Sequence, residues 1–136
     1  LGLLDAEYDE FQFIGASGLV DLSGLEIRRA PDVTGSISGT YEWQMGETRA
    51  WALVGWHYIG EHEVDFANKP ELTNDAQNLI NASVNFETGP VRISAYGHNL
   101  TNEDGYSIGF DVAGLWSYAA TRAPRTYGLE VSYTFE

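Results

Sequence analysis

The chain has 136 residues, of which 43% are hydrophobic, 13% aromatic and 20% charged; this is one domain's worth and excludes a disordered tail. Seven Lys and Arg against 20 Asp and Glu give a net charge of −13, so there is no basic face for nucleic acid. Cys is absent, excluding disulfide scaffolds, thiolate catalysis and zinc-thiolate sites. No apolar run reaches the roughly 18–20 residues of a transmembrane helix, an exclusion that does not extend to a β-barrel.

The first residues, Leu1-Gly-Leu-Leu4, read as the end of a strand, with no initiator Met and no signal-peptide start, so the chain reads as a fragment. A long connection, 7–32, follows. From Val33 to Gln44 alternate positions are apolar or small (Val33, Gly35, Ile37, Gly39, Tyr41, Trp43), and those between are polar. That period of two predicts a strand. After a tight turn at Met45-Gly-Glu47, Thr48–Gly60 is strand-like but two-sided. Ala50, Ala52, Val54, Trp56 and Tyr58 share one face and Trp51, Leu53, His57 and Ile59 the other, with Trp56 and Tyr58 expected on the more apolar side.

A second long connection, 61–76, leads to Asn78–Glu87, where Ile80, Ala82, Val84 and Phe86 alternate with Leu79, Asn81, Ser83, Asn85 and Glu87. The turn Glu87-Thr-Gly-Pro90 returns the chain into Val91–Leu100, whose apolar side is Val91, Ile93, Ala95 and Gly97. A third long connection, 102–123, precedes the cleanest alternation. There Tyr127, Leu129, Val131, Tyr133 and Phe135 oppose Thr126, Gly128, Glu130, Ser132 and Thr134.

Short turn, long loop, short turn, long loop is the rhythm of an all-β, antiparallel up-and-down meander of the transmembrane-barrel kind, with little helix beyond a turn in the loops. The three long loops hold 14 of the 20 acids and about −10 of the net charge, keeping charge off the apolar strand faces. Periodicity alone also admits a soluble antiparallel sandwich.

Three ordered stretches add a resemblance. They are Asp21-Leu-Ser-Gly24 with Arg29-Ala-Pro31 and a strand reaching Tyr41, then Gly97-His-Asn99-Leu-Thr101-Asn-Glu-Asp104 with Tyr106. The third is Ala123-Pro-Arg125-Thr-Tyr127-Gly128 leading into Val131-Ser-Tyr133-Thr-Phe135. Together they resemble the late barrel strands of TonB-dependent receptors, plugged outer-membrane transporters with roughly 22 strands. The resemblance implies that residues 1–136 are the C-terminal portion of such a barrel, five full strands plus a stub ending near Leu4, with plug and energy-coupling box upstream. It implies a place in the outer membrane of a Gram-negative bacterium. It also implies uptake of a scarce nutrient (an iron-siderophore, a cobalamin or an oligosaccharide), energised by a TonB-type protein acting on the upstream region. The expected partners are outer-membrane lipid, that coupling protein, the nutrient and the barrel-assembly machinery. The last would read Thr126, Gly128, Val131, Tyr133 and Phe135 as an assembly signal. The family's pattern ends on the aromatic, whereas Glu136 follows Phe135 here.

No enzyme is expected, and no cofactor. His57, Glu61, His62 and Glu63 invite a metal, but His57 and His62 fall on opposite faces of an extended strand, and solvated loop residues are the preferred reading. The acidic run Asp5, Glu7, Asp9, Glu10 lacks the Gly and terminal Glu of a calcium loop and reads as a charged outer loop. Asn81 and Asn99 match glycosylation acceptors that a bacterial barrel would leave unmodified, and adjacent Glu103-Asp104 have no positioned partner for hydrolysis. Trp116 and Tyr118, in the last long loop, are the local candidates for ligand contact. The alternative class is a secreted β-sandwich that binds carbohydrate or a surface through Trp43, Trp51, Trp56 and Trp116.

Overall fold

Alternation becomes strand wherever it is clear. The computed structural model describes residues 1–15, 18–112 and 115–135; Glu136 lies outside the described residues. In chain order the strands are β1 (Gly2–Leu3), β2 (Gln12–Gly15), β3 (Gly18–Asp21), β4 (Val33–Met45), β5 (Thr48–Ile59) and β6 (His62–Glu63). A 3-10 turn, Pro70–Leu72, precedes β7 (Thr73–Asn74), β8 (Gln77–Thr88), β9 (Val91–His98), β10 (Tyr106–Val112), β11 (Trp116–Thr121) and β12 (Thr126–Tyr133). No α-helix occurs among the described residues, in keeping with the sequence.

The main sheet has six strands in the order β1-β4-β5-β8-β9-β12, which is chain order with the loop strands skipped. It is the expected meander, without Greek-key crossing. The expected stub is β1, pairing Gly2 with Thr34 and Leu3 with Val33. Two glycines make the tight turns, Gly46 at φ 62° and Gly89 at φ 54°, a left-handed conformation that residues with a Cβ rarely adopt. Strand ends differ from the expectation by a residue or two. β9 stops at His98 because Asn99 itself turns left-handed, at φ 49°, and β12 stops at Tyr133.

The chain divides into two compact units. One comprises Ser36–His57, Asn78–Glu103 and Ala123–Glu136. Here the register aligns like with like. Phe86 pairs with Ile93 and Ile93 with Val131; Val84 pairs with Ala95 and Ala95 with Leu129. On the reverse face Glu87, Arg92 and Ser132 form one row, and Ser83, Tyr96 and Gly128 another. Burial is inverted relative to a water-soluble core. The large apolar side chains stand open (Ile37 67%, Tyr41 71%, Leu129 77%, Val131 69% exposed), while the polar Asn85 and Asn99 are buried. A β-sandwich would cover that face with a second sheet; within this unit no described residue does so. Within this unit Trp43 and Trp51 stand on opposite faces. Trp43 meets Tyr41 and Phe86 on the apolar face, whereas Trp51 lies with Arg49 and Arg92 on the polar one.

The other unit comprises Leu1–Gly35, Tyr58–Gln77 and Asp104–Arg122, and so holds nearly all of the three long connections. Their described residues include strands, which the sequence did not lead us to expect. Each contributes strands: β2 pairs β3, β6 pairs β7, and β10 pairs β11. Leu22, Val64 and Leu72 form a small buried core, beside a cluster of Tyr8, Phe11, Phe13 and Phe66 rings at centroid distances of 4.9–6.2 Å. β10 approaches that core at Gly109, where a Cβ would lie 2.8 Å from Val64 and 3.0 Å from Leu72.

Candidate functional site

Trp116 and Tyr118 sit two apart on β11 and therefore on one face. Both rings approach Phe110 of β10, at 6.2 and 5.2 Å, and all three are well exposed. The hairpin thus presents a three-ring aromatic surface of the kind that stacks on a flat or apolar ligand.

The residues expected to signal assembly lie on or just past β12. Val131, Tyr133 and Phe135 are exposed on the apolar side, with the Tyr133 and Phe135 rings 4.8 Å apart. Thr126 and Gly128 occupy the opposite side, where Gly128 faces Tyr96. A Cβ on Gly128 would lie 2.7 Å from the Tyr96 hydroxyl, so the missing side chain makes room for the ring. The same polar face carries ion pairs Arg49–Glu42 at 2.9 Å and Arg92–Glu87 at 3.3 Å, both exposed. The two guanidiniums lie 5.0 and 5.8 Å from the Trp51 ring, a cation–π arrangement.

The stretch Asn99–Glu103 has a mechanical role. The Asn99 amide accepts from the Glu103 N–H at 2.9 Å and donates to its carbonyl at 2.9 Å, tying the corner into a ring. Glu103 then accepts from the Asn78 N–H at 3.0 Å, and the Thr101 hydroxyl donates to the Asn78 carbonyl at 2.6 Å. Side chains here replace a neighbouring strand at the start of β8. Glu103 is therefore structural, and Asn81 accepts from the Asn99 N–H at 3.0 Å.

The expectation that His62 is a solvated loop residue is corrected. It is buried, and its Nδ1–H donates to the Gly60 carbonyl at 2.9 Å while Nε2 accepts from the Asn74 amide at 3.1 Å. Those partners assign the neutral tautomer with the proton on Nδ1. His57 belongs to the other unit, and no group of three or more metal-ligating side chains occurs among the described residues. Glu63 is turned toward Thr73, whose hydroxyl lies 3.0 Å from its carboxylate; desolvation by burial raises the Glu63 pKa, against the lowering effect of that bond. Asp21, at the end of β3, is fully exposed, and bonds from Ser23 and Gln12 lower its pKa. Asp5, Glu7, Asp9 and Glu10 are exposed, as expected.

In the sequence Arg29 stands out only within the stretch Arg29-Ala-Pro31, and Arg122 only as a charge in the last long connection. They line one open cavity of about 500 Å3 together with Pro31, Ile59, Val64 and Tyr106. Nothing local in the sequence joins these segments.

No family model matches the chain, and no curated protein matches it. Among solved structures, the chain is similar to the crystal structure of BauA, the ferric preacinetobactin receptor from Acinetobacter baumannii, with a TM-score of 0.66 at 21% identity. The match covers 82% of this chain and 16% of that chain, so this chain corresponds to a small part of the receptor's length. At that identity the likeness shows the fold: the all-β antiparallel arrangement described above recurs within a ferric preacinetobactin receptor.

Proposed function

We propose that this chain is the C-terminal part of the β-barrel of a TonB-dependent outer-membrane receptor that takes up a scarce nutrient through a plugged barrel. The observation that carries the reading is the inverted burial of the meander, with large apolar side chains open on one face and ion pairs and amides on the other. A lipid-facing wall with a hydrated interior needs that asymmetry. The shared fold with a ferric preacinetobactin receptor supports it and puts a ferric chelate first among the possible nutrients.

On this reading, the apolar face of the main sheet meets outer-membrane lipid, and the edge strand β12 is what the barrel-assembly machinery pairs with, through Thr126, Gly128, Val131, Tyr133 and Phe135. The Trp116–Tyr118–Phe110 surface contacts the nutrient, and a TonB-type protein supplies energy through the upstream region. The proposed role is transport.

The test is membrane fractionation of the complete protein carrying this chain, followed by uptake of a radiolabelled ferric chelate in cells with and without its gene. The expected result is outer-membrane residence, release only by detergent, and uptake that needs both the gene and an energised inner membrane. A monodisperse, cooperatively melting protein in water without detergent would overturn the reading.

A further inference from the structure

The cavity at Arg29 and Arg122 reverses the charge of its surroundings. In a chain with 20 acids and seven Lys and Arg, two of the seven line one cavity whose lining includes no carboxylate. Among the described residues the ion pairs are Arg49–Glu42 and Arg92–Glu87; neither Arg29 nor Arg122 belongs to one. The nearby Glu63 carboxylate is occupied with Thr73.

Backbone bonds hold both residues in place, and a side-chain bond holds the Arg29 guanidinium. Arg29 adopts a left-handed φ of 61°, its N–H donates to the Glu63 carbonyl at 2.7 Å, and its Nη2 donates to the Ser107 carbonyl at 2.8 Å. The Arg122 N–H donates to the Gly105 carbonyl at 2.7 Å. A guanidinium has five N–H donors in a rigid fork, so most of those on Arg29 remain for a further acceptor. His62 lines the same cavity, with both ring nitrogens already engaged. The remaining wall is mainly apolar, with Pro31, Ile59, Val64 and the Tyr106 ring.

We propose that this cavity binds an organic anion: a carboxylate held by Arg29 and Arg122, on an apolar body packed against Pro31, Ile59, Val64 and Tyr106. Forked guanidiniums match carboxylates in geometry as well as charge, and the apolar wall discriminates against small hydrated anions. The proposal rests on the receptor reading for its purpose, since it assigns the imported ligand a carboxylate.

The complete protein carrying this chain, folded in detergent, is titrated calorimetrically with benzoate, with its neutral isostere benzamide and with inorganic phosphate. Benzoate is expected to bind at least about tenfold more tightly than either. Arg29→Gln and Arg122→Gln should each weaken benzoate about tenfold, whereas exposed Arg28→Gln, outside the cavity, should not. Benzamide binding as tightly as benzoate, or unchanged benzoate binding when Arg29 and Arg122 are both replaced, would overturn the anion site. Phosphate matching benzoate would overturn the apolar part of the proposal. The benzoate–benzamide comparison uses the unaltered protein and stays decisive if a substitution impairs folding. Failure of the receptor reading appears separately, in fractionation and uptake, while benzoate binding remains measurable.

Discussion

The Asn74 side chain pairs with the backbone of Tyr106 as a strand would: its Oδ1 accepts from the Tyr106 N–H at 2.7 Å and its Nδ2 donates to the Tyr106 carbonyl at 2.9 Å. Its second amide hydrogen goes to His62 Nε2. One side chain therefore ties β6, β7 and the start of β10 together. Asn74→Ala leaves three polar groups without partners, at about 1–3 kcal/mol for each that stays buried. Amide hydrogen exchange at Tyr106 should accelerate roughly tenfold or more in the variant. Unchanged protection would show that the bond is dispensable.

Gly128 makes room for Tyr96. Gly128→Ala places a methyl 2.7 Å from the Tyr96 hydroxyl and 2.8 Å from its ring carbon Cζ, so the ring must swing aside. The expected cost to the complete protein is about 1–3 kcal/mol. Tyr96→Ala should relieve most of the clash, so the two substitutions are coupled and the double variant loses less than the sum. Denaturant unfolding from lipid vesicles measures all four proteins, and strict additivity would refute the contact.

Face assignment on β12 gives the sharpest contrast. Leu129 is 77% exposed and opposite Ala95 on the apolar side, while Ser132 is opposite Arg92 on the polar side. On the proposed receptor reading, Leu129→Arg should oppose insertion of the complete protein by about 2–4 kcal/mol at the bilayer midplane, and Ser132→Arg should be far milder. Folding both variants into vesicles decides the matter; equal tolerance would reverse the assignment.

Glu63 and Asp21 titrate in opposite senses. Burial raises the Glu63 pKa, so the folded unit holds this proton more tightly than the unfolded chain, and the contribution to stability falls as pH rises from about 4.5 through the raised pKa. Asp21 is held below its usual value by Ser23 and Gln12, so its contribution is present above the ordinary carboxylate pKa and is lost as pH falls. Glu63→Gln should therefore be neutral or stabilising near neutral pH and lose that advantage in acid. Asp21→Asn should be mildly destabilising near neutral pH and less so in acid. Melting midpoints of the variants across roughly pH 3–7 check both signs.

Period-two alternation made the main sheet legible in the sequence. Each residue of β4, β8, β9 and β12 carries its own instruction, apolar for one face and polar for the other. A one-residue slip would reverse every side chain at once, so register is specified locally and redundantly. The turns at Gly46 and Gly89 were equally local. The all-β antiparallel arrangement that this rhythm led us to expect recurs within a ferric preacinetobactin receptor.

The long connections followed different rules. Residues 7–32, 61–76 and 102–123 have no sustained alternation and read as loops, yet they fold into three hairpins around Leu22, Val64 and Leu72. Their bonds join distant positions: Glu26 with Asn68 across 42 residues, Asn74 with Tyr106 across 32, and Arg29 with Ser107 across 78. An asparagine that satisfies a remote backbone looks, in sequence, like any polar loop residue. The same holds for His62, which read as solvated and is buried. Local sequence by itself determined which residues extend and which face they present, because that preference is a property of each side chain and its immediate neighbours. Only the tertiary structure decided which loop side chains are buried and which charges share a cavity, because those outcomes depend on partners that chain closure, not sequence proximity, brings within reach.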